Sequence, residues 1–537
     1  MKNRKNLIFA LIIAVLLGIP LQTIISGDDI YSQIKKFNFV LQTANKNYVE
    51  ETDNHKLVEA AIKGMLDELD PHSVYIPPKK LKKVKEDFRG NFDGIGVQFN
   101  VFEDTITVIS SIAGGPSEAL GIQSGDKIVK IDGKNAVGIG RDEIPKRLKG
   151  PKGTTVNVDI KRGDETDLLS FDIVRDKIPI YSVDAAFMLD DTDIGFISIN
   201  RFMRTTHIEF LDSVAVLKKK GMRKIILDLR GNPGGFLGQA FRIADEFIPN
   251  GHKIVYTKGR KASFDQDFMS HPGGVLETMP VIVLIDAGSA SASEILSGAI
   301  QDLDRGLIIG ETSFGKGLVQ RQFEIGDGSA FRLTTSKYYT PSGRCIQRPY
   351  EDEKQYRNFA GRLEMKEGMN MNHEIEVLRK DLPADSIPPI FKSLGCRNLL
   401  GSGGITPDYV IKYDTITVLS RKIRRANIFF KFALDYMNMF GADLKEEYKT
   451  NFKDYYRNFE IDEDAVEMLK DMAKTKKIEW DDEDFNTDEE YLKISLKAAI
   501  ARTIWGNNEY RVIFSDLSSQ TIKAAELFPE AKQIANL

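Results

Sequence analysis

Cysteine is nearly missing from this 537-residue chain, which has only Cys345 and Cys396. A fold held by a disulfide framework is thereby excluded. The two cysteines flank a polar stretch, and the sequence leaves open whether they pair or stay as thiols. Histidine is scarce too, with six residues at 55, 72, 207, 252, 271 and 373. No H-E-x-x-H occurs and no two histidines stand at ligand spacing, so no metal centre is expected. Strong charge of either sign is also lacking. The net charge of −4 gives no footing for nucleic acid, and RKIRR (421–425) reads as the solvated face of a helix. No repeat of solenoid period is present.

The composition that remains is that of a folded protein, with 42% hydrophobic and 28% charged residues. The length is too great for one core and calls for several domains. The basic MKNRKN is followed by the apolar run LIFALIIAVLLGIPLQTII (7–25). That pair reads as a signal peptide or a retained membrane anchor within residues 1–27, and everything after it as exported. No small-x-small cleavage site follows, so cleavage and anchoring both stay open. No cysteine stands near its end to carry a lipid.

Composition then changes along the chain. Residues 28–90 show helical periodicity, broken at Pro71 in LDPHSVYI (69–76). Residues 91–177 alternate short apolar strands with turns, which predicts a small β-rich module with one short helix. Residues 178–345 repeat strand, small-residue turn and helix, which predicts an α/β core. Residues 346–400 read as a polar insert, 401–415 as a return to the core, and 416–537 as a helical region with acidic patches.

Chemistry concentrates in two turns and one loop. GSASASEI (288–295) follows the apolar run PVIVLID and opens a helix. A serine there, with Ser291 in the middle, sits beside free amide N–H groups and the positive end of a helix dipole. The bland alternative is a set of helix caps and tight packing. LDLRGNPGG (227–235) has the same strand–turn–helix order, and its glycines let backbone amides approach a ligand. No histidine is near to take the serine's proton. GETSFGKGLVQ (310–320) offers Lys316 instead, with Gln320 four residues on; a lysine shielded from water can act as a base. The same loop nearly fits the P-loop pattern G-x-x-x-x-G-K-[ST]. Gly317 replaces the hydroxyl that would hold Mg²⁺, and a hairpin pattern follows where a P-loop opens a helix.

Taken together, GSASASEI, the lysine 25 residues after Ser291, the glutamine four beyond it, LDLRGNPGG, LDPHSVYI, YYTPSGRCIQRPY and GGITPDYVI resemble the C-terminal processing peptidases, or tail-specific proteases. The resemblance covers about residues 30–415. It implies a multidomain α/β protein with a crotonase-like catalytic core, a PDZ domain at 91–177, and helical N- and C-terminal regions. It carries over Ser291 as nucleophile, Lys316 as general base and Gln320 as the residue that positions the lysine. The amides of Ala292 and of Gly234 or Gly235 would form the oxyanion hole, with Asp302 as an accessory. Gly94, Ile95, Gly96 and Val97 would grip a substrate's C-terminal tail, which adds as a strand. No cofactor is implied. The expected protein is an exported, periplasmic serine endopeptidase, anchored in the inner membrane if its first segment is retained. A homodimer through terminal helices and an adaptor protein are further implied partners. The alternative is a catalytically silent PDZ scaffold.

Overall fold

The computed structural model describes residues 30–112, 114–163, 165–351, 356, 366–370, 375, 388–448 and 451–537. The apolar stretch 7–25 and much of the 346–400 insert lie outside these. Among the described residues no helix is long and apolar enough to cross a membrane. The described residues form two compact units, one of those up to Pro78 with 321–334, the other of those from Lys79 to Gln320 and from Thr335 onward.

In the first unit, Asp53 caps the helix Asn54–Asp67 by accepting from the N–H groups of His55 and Lys56. LDPHSVYI ends in the short strand Val74–Ile76, which pairs antiparallel with Ala330–Arg332. Asp70 makes the turn before it, accepting from Ser73 N and Ser73 Oγ.

The second unit begins with the β-rich module. Five antiparallel strands run in the order β1 (Val97–Phe102), β2 (Thr105–Ser111), β3 (Lys127–Ile131), β4 (Thr155–Lys161) and β5 (Leu169–Val174). Val156, Val158 and Ile160 alternate inward along β4 and join Ile106, Val108, Ile128 and Ile173 in one core. Strand β1 is an edge of this sheet.

The α/β core follows as a six-stranded sheet in sequence order: β6 (Val183–Met188), β7 (Ile194–Ile199), β8 (Lys224–Asp228), β9 (Val281–Ile285), β10 (Gly306–Gly310) and β11 (Tyr409–Val410). Only the β6–β7 pair is antiparallel. Strands β7, β9 and β10 are buried along their whole length, as parallel strands covered on both faces must be. One face, with Ile225, Leu227, Val281, Val283 and Ile285, packs against α1 (Thr206–Lys219), α2 (Leu237–Asp245) and α3 (Ala292–Asp302).

The opposite face, with Ile226, Ile282, Leu284, Leu307 and Ile309, is covered from much further along the chain. Its cover is Ala524 of α4 (Ser519–Glu526) with Phe528 and Ala531 of α5 (Phe528–Ile534). The expected helical region 416–537 therefore divides. Residues of about 419–513 build their own aromatic core around Phe432, Tyr455, Leu492 and Leu496. The last two helices belong instead to the α/β core.

The segment after Lys316 forms the strand Leu318–Glu324, which pairs with Ala330–Tyr339. This is the predicted hairpin, and it is incompatible with a P-loop helix. Both cysteines are free thiols, Cys345 half-buried and Cys396 exposed.

Candidate active site

Three serines alternate in the turn after β9, and the structure separates them. Ser289 is fully buried and its Oγ donates to Leu229 O at 2.8 Å. Ser293 is also fully buried and donates to Asn232 O at 2.9 Å. Only Ser291 is partly exposed. Its backbone has φ 55° and ψ −109°, a conformation that a side chain rarely adopts. Such a strained corner between strand and helix projects a side chain away from both elements.

The strain is held by a fastening between this turn and the glycine-rich turn after β8. Asp286 Oδ1 accepts from Gly231 N at 2.8 Å, Gly288 N at 2.9 Å and Ser289 N at 3.0 Å. Ala290 N donates to Asn232 O at 3.0 Å. Gly234, at φ +93°, lies so close that a Cβ on it would be 2.8 Å from Ser291 Cβ and 2.9 Å from Ala292 N. No other residue fits there.

The two expected amide donors from this turn are not equivalent. Gly234 N–H already donates to Asn232 Oδ1 at 2.8 Å. Gly234 O accepts from Phe202 N at 3.0 Å. Across a trans peptide the next N–H points the opposite way, so Gly235 N–H is directed away from Phe202. Among the described residues neither Gly235 N–H nor Ala292 N–H has an acceptor. These two are the donors available for an oxyanion, and Gly234 serves as the spacer that lets the turns meet.

Lys316 Nζ donates to Gln320 Oε1 at 2.9 Å. The lysine loop is tied to the serine turn by Glu294, a residue that the sequence reading passed over. Its side chain is fully buried. Oε2 accepts from Ser291 N at 2.7 Å and Lys316 N at 3.0 Å, and Oε1 from Gly315 N at 2.6 Å and Ser313 Oγ. Ser313 Oγ in turn accepts from Ile405 N, so its own proton goes to Glu294. Burial pushes the Glu294 carboxyl up, against four donors that pull it down. Since every neighbour donates, a carboxyl proton would have no acceptor, and the site fits the carboxylate. The signal was present in the sequence: Ser291-Ala-Ser-Glu294 is a capping box, S-x-x-E. Tyr338 completes the support, donating its hydroxyl to Ser291 O at 3.1 Å. Burial, with Glu294 nearby, raises this phenol well above its ordinary value and keeps it a donor.

Asp302 is not brought to the site. It sits eleven residues after Ser291 at the other end of α3, a distance of about 16 Å along the axis. Its Oδ1 accepts from Arg344 Nη2 at 2.7 Å and its Oδ2 from Ser342 N at 3.0 Å. The expected accessory role is therefore corrected: Asp302 anchors the segment YYTPSGRC to the core.

In the β-rich module, Gly94 pairs with Asp176 in a short ladder. Ile95 O accepts from Ser117 N and Ser117 Oγ, and Gly96 O from Ile112 N at 2.9 Å. Both carbonyls thus turn inward, and the N–H groups of Gly96 and Val97 point the other way, beside the open edge of β1. Among the described residues no cluster of three or more metal-ligating side chains is present.

Comparison with known proteins adds to this geometry. The profile of Peptidase family S41 matches residues 193–352 and that of the PDZ domain residues 94–173. The activating protease CtpB N-terminal domain matches 22–79, and a family of unknown function 419–506. The carboxy-terminal-processing protease of Bartonella bacilliformis is 39% identical over 321 residues, 59% of this chain and 73% of that one. The carboxy-terminal processing protease CtpA of Bacillus subtilis is 34% identical over 359 residues, 65% of this chain and 76% of that one. Among solved structures, a photosystem II D1 C-terminal processing protease is 26% identical, with a TM-score of 0.33, and covers 58% of this chain and 89% of its own.

Proposed function

This chain belongs to peptidase family S41, the carboxy-terminal-processing proteases, and from that premise we propose that a Ser291–Lys316 dyad cuts exported proteins whose C-terminal tails its PDZ domain has bound. The chain is a serine-type peptidase with a PDZ domain. The observation that carries the dyad is the Glu294 carboxylate, which fixes Ser291 N and Lys316 N to one oxygen.

In this reading Lys316 meets the substrate as a neutral amine, a state that shielding from water favours in lysines. It donates one N–H to Gln320 Oε1, an anchor that would let its lone pair face Ser291 Oγ. The lysine takes the serine proton as Oγ attacks the scissile carbonyl carbon. Charge develops on the carbonyl oxygen and is met by the N–H groups of Ala292 and Gly235. The lysine ammonium then protonates the leaving amine, and the C–N bond breaks. Water, deprotonated by the same lysine, hydrolyses the acyl-enzyme.

The substrate's terminal carboxylate would meet the N–H groups of Gly96 and Val97, and its tail would extend the sheet at β1. We also propose that the basic and apolar segment within residues 1–27 carries the protein to the periplasmic side of the membrane, with retention there as an anchor decided by whether it is cleaved.

The test compares the full chain with Lys316→Ala on a loosely folded substrate that ends in a free apolar C-terminus. Cleavage by the parent and none by a folded variant supports the dyad. Equal cleavage by both removes Lys316 as the base. Tail binding without cleavage by either favours the silent scaffold.

A further inference from the structure

The C-terminal helices have no part in the chemistry above, yet one of them reaches the turn that supplies an oxyanion donor. The contact is made by Arg230, two residues past β8 in LDLRGNPGG. Its Nε and Nη2 each donate to Asp228 at 2.8 Å, and its own N–H donates to Asp228 Oδ1 at 3.0 Å. Nη1 reaches across to the start of α4, donating to Ser518 Oγ at 2.9 Å and Gln520 Oε1 at 3.0 Å. Burial works against this charge, but Asp228 outweighs it and holds the guanidinium's pKa above the usual arginine value.

Both partners on α4 are themselves fixed. Ser518 caps the helix, accepting from Thr521 N. Gln520 is only 2% exposed and its Nε2 donates to Ile411 O at 2.7 Å. Two residues on, Tyr413 donates to Asp286 Oδ2 at 3.1 Å. Asp286 is the carboxylate that fastens the glycine-rich turn to the serine turn. The stretch Leu229–Gly235 is thus held at Arg230 by α4 and at Gly231 by Asp286.

We infer that Ser518 and Gln520 are positioning residues for the peptidase reaction, acting through Arg230 to hold the turn that carries Gly235 N–H. This rests on the reading of Ser291 and Gly235 given above. An apolar seam would suffice to attach α4 to the sheet, and Ala524 already contributes one. Directed bonds to a guanidinium do something different: they fix a backbone turn in place. A donor displaced by about 1 Å from a developing oxyanion is enough to slow a reaction as much as a hundredfold.

The test uses the full chain. Ser518→Gly removes the hydroxyl but remains an acceptable helix cap. Gln520→Met removes the acceptor and keeps the side-chain length. In the double variant kcat is expected to fall about tenfold or more, with KM and the affinity of a tail peptide unchanged. Affinity for a peptide boronate, whose tetrahedral adduct occupies the oxyanion site, should fall by the same factor as kcat. Ser518→Asp, which both caps α4 and accepts from Arg230, should keep the parent kcat. Unchanged kcat in the double variant would overturn the inference. So would a loss that Ser518→Gly does not share with Ser518→Ala, because capping alone would then explain it. If Ser518→Gly and Gln520→Met together prevent folding, Ser518→Gly alone against Ser518→Asp decides by the same readouts. Absence of cleavage by the parent chain would instead overturn the reading of the site, and this inference with it.

Discussion

Two loops in this protein carry the pairs of backbone N–H groups that the proposed reaction assigns to a negative charge, and they are built in opposite ways. At the serine turn, Ala292 and Gly235 are backed by buried carboxylates, an asparagine and a tyrosine, with nearly every neighbouring polar atom bonded. At the PDZ loop, Gly96 and Val97 are backed by a serine and one backbone amide, and they stand beside an open strand edge. In the proposed reading the difference follows from the charge each would meet. An oxyanion exists only in passing, so its donors must already be in place when it forms. A terminal carboxylate arrives with a tail of variable sequence, and an open edge accepts any backbone.

The contrast breaks most sharply at Ser291, the proposed nucleophile. Ser291→Ala should lower kcat by at least about 10⁴-fold, while fluorescence anisotropy of a labelled tail peptide shows unchanged binding. Loss of binding together with turnover would mean that the two loops are not separate devices. Next comes Glu294→Gln. Its amide group would turn donors toward N–H groups that need an acceptor, at a stability cost of about 1–3 kcal/mol. The expected result is a kcat lower by about 10²-fold, a reduced melting temperature and an unaltered tail affinity. Single-turnover kinetics at the parent rate would remove Glu294 from the site's support.

The mirror experiment is Gly96→Val. Gly96 has φ +77°, and a Cβ there would lie 3.1 Å from Ile178 Cδ1 and 3.4 Å from Gly115 Cα. A β-branched residue should distort the loop and raise KM about tenfold while kcat at saturation holds, the reverse of the Glu294 pattern. The smallest effect concerns Tyr409, whose hydroxyl donates to Glu530 of α5 at 2.6 Å. Burial and that carboxylate push the phenol up to about 12 from an ordinary value of 10.0. The folded pKa exceeds the unfolded one, so the contact contributes fully below pH 10 and is lost as pH rises through about 12. The ring is only half-buried against the core, and solvent screening of the hydroxyl limits the loss to under about 1 kcal/mol. Hydrogen exchange should show α5 loosening in that window before the PDZ sheet does, and Tyr409→Phe should abolish the step.

Local pattern made part of this legible. Alternating apolar residues mark the strands of the PDZ sheet, and continuous runs mark β9 and β10, because burial on one face or two writes itself into the period. Ser291, Lys316 and Gln320 stand out through their turns and spacing. Glu294 was visible as the fourth residue of a capping box, but a cap and a bridge between two loops share one signature. Asp302 misleads for a geometric reason: it shares a helix with Ser291, yet eleven residues of helix carry it to the far end. The assignment of Gly235 over Gly234 depends on which way a peptide faces, which no spacing reveals. The bonds from Arg230 to Ser518 and Gln520 span 288 and 290 residues. Contacts that remote leave no local trace.

That span has a consequence in time. A ribosome adds about 5–20 residues per second, so roughly fifteen to sixty seconds separate the synthesis of the glycine-rich turn from that of the helix that holds it. Through that interval one face of the catalytic sheet has no cover. A growing chain is therefore expected to stay inert until α4 and α5 have docked, which would spare its neighbours, and itself, from premature cutting. Released chains truncated before Ser518 and released chains that include α4 and α5, assayed side by side, would show the activity switch on.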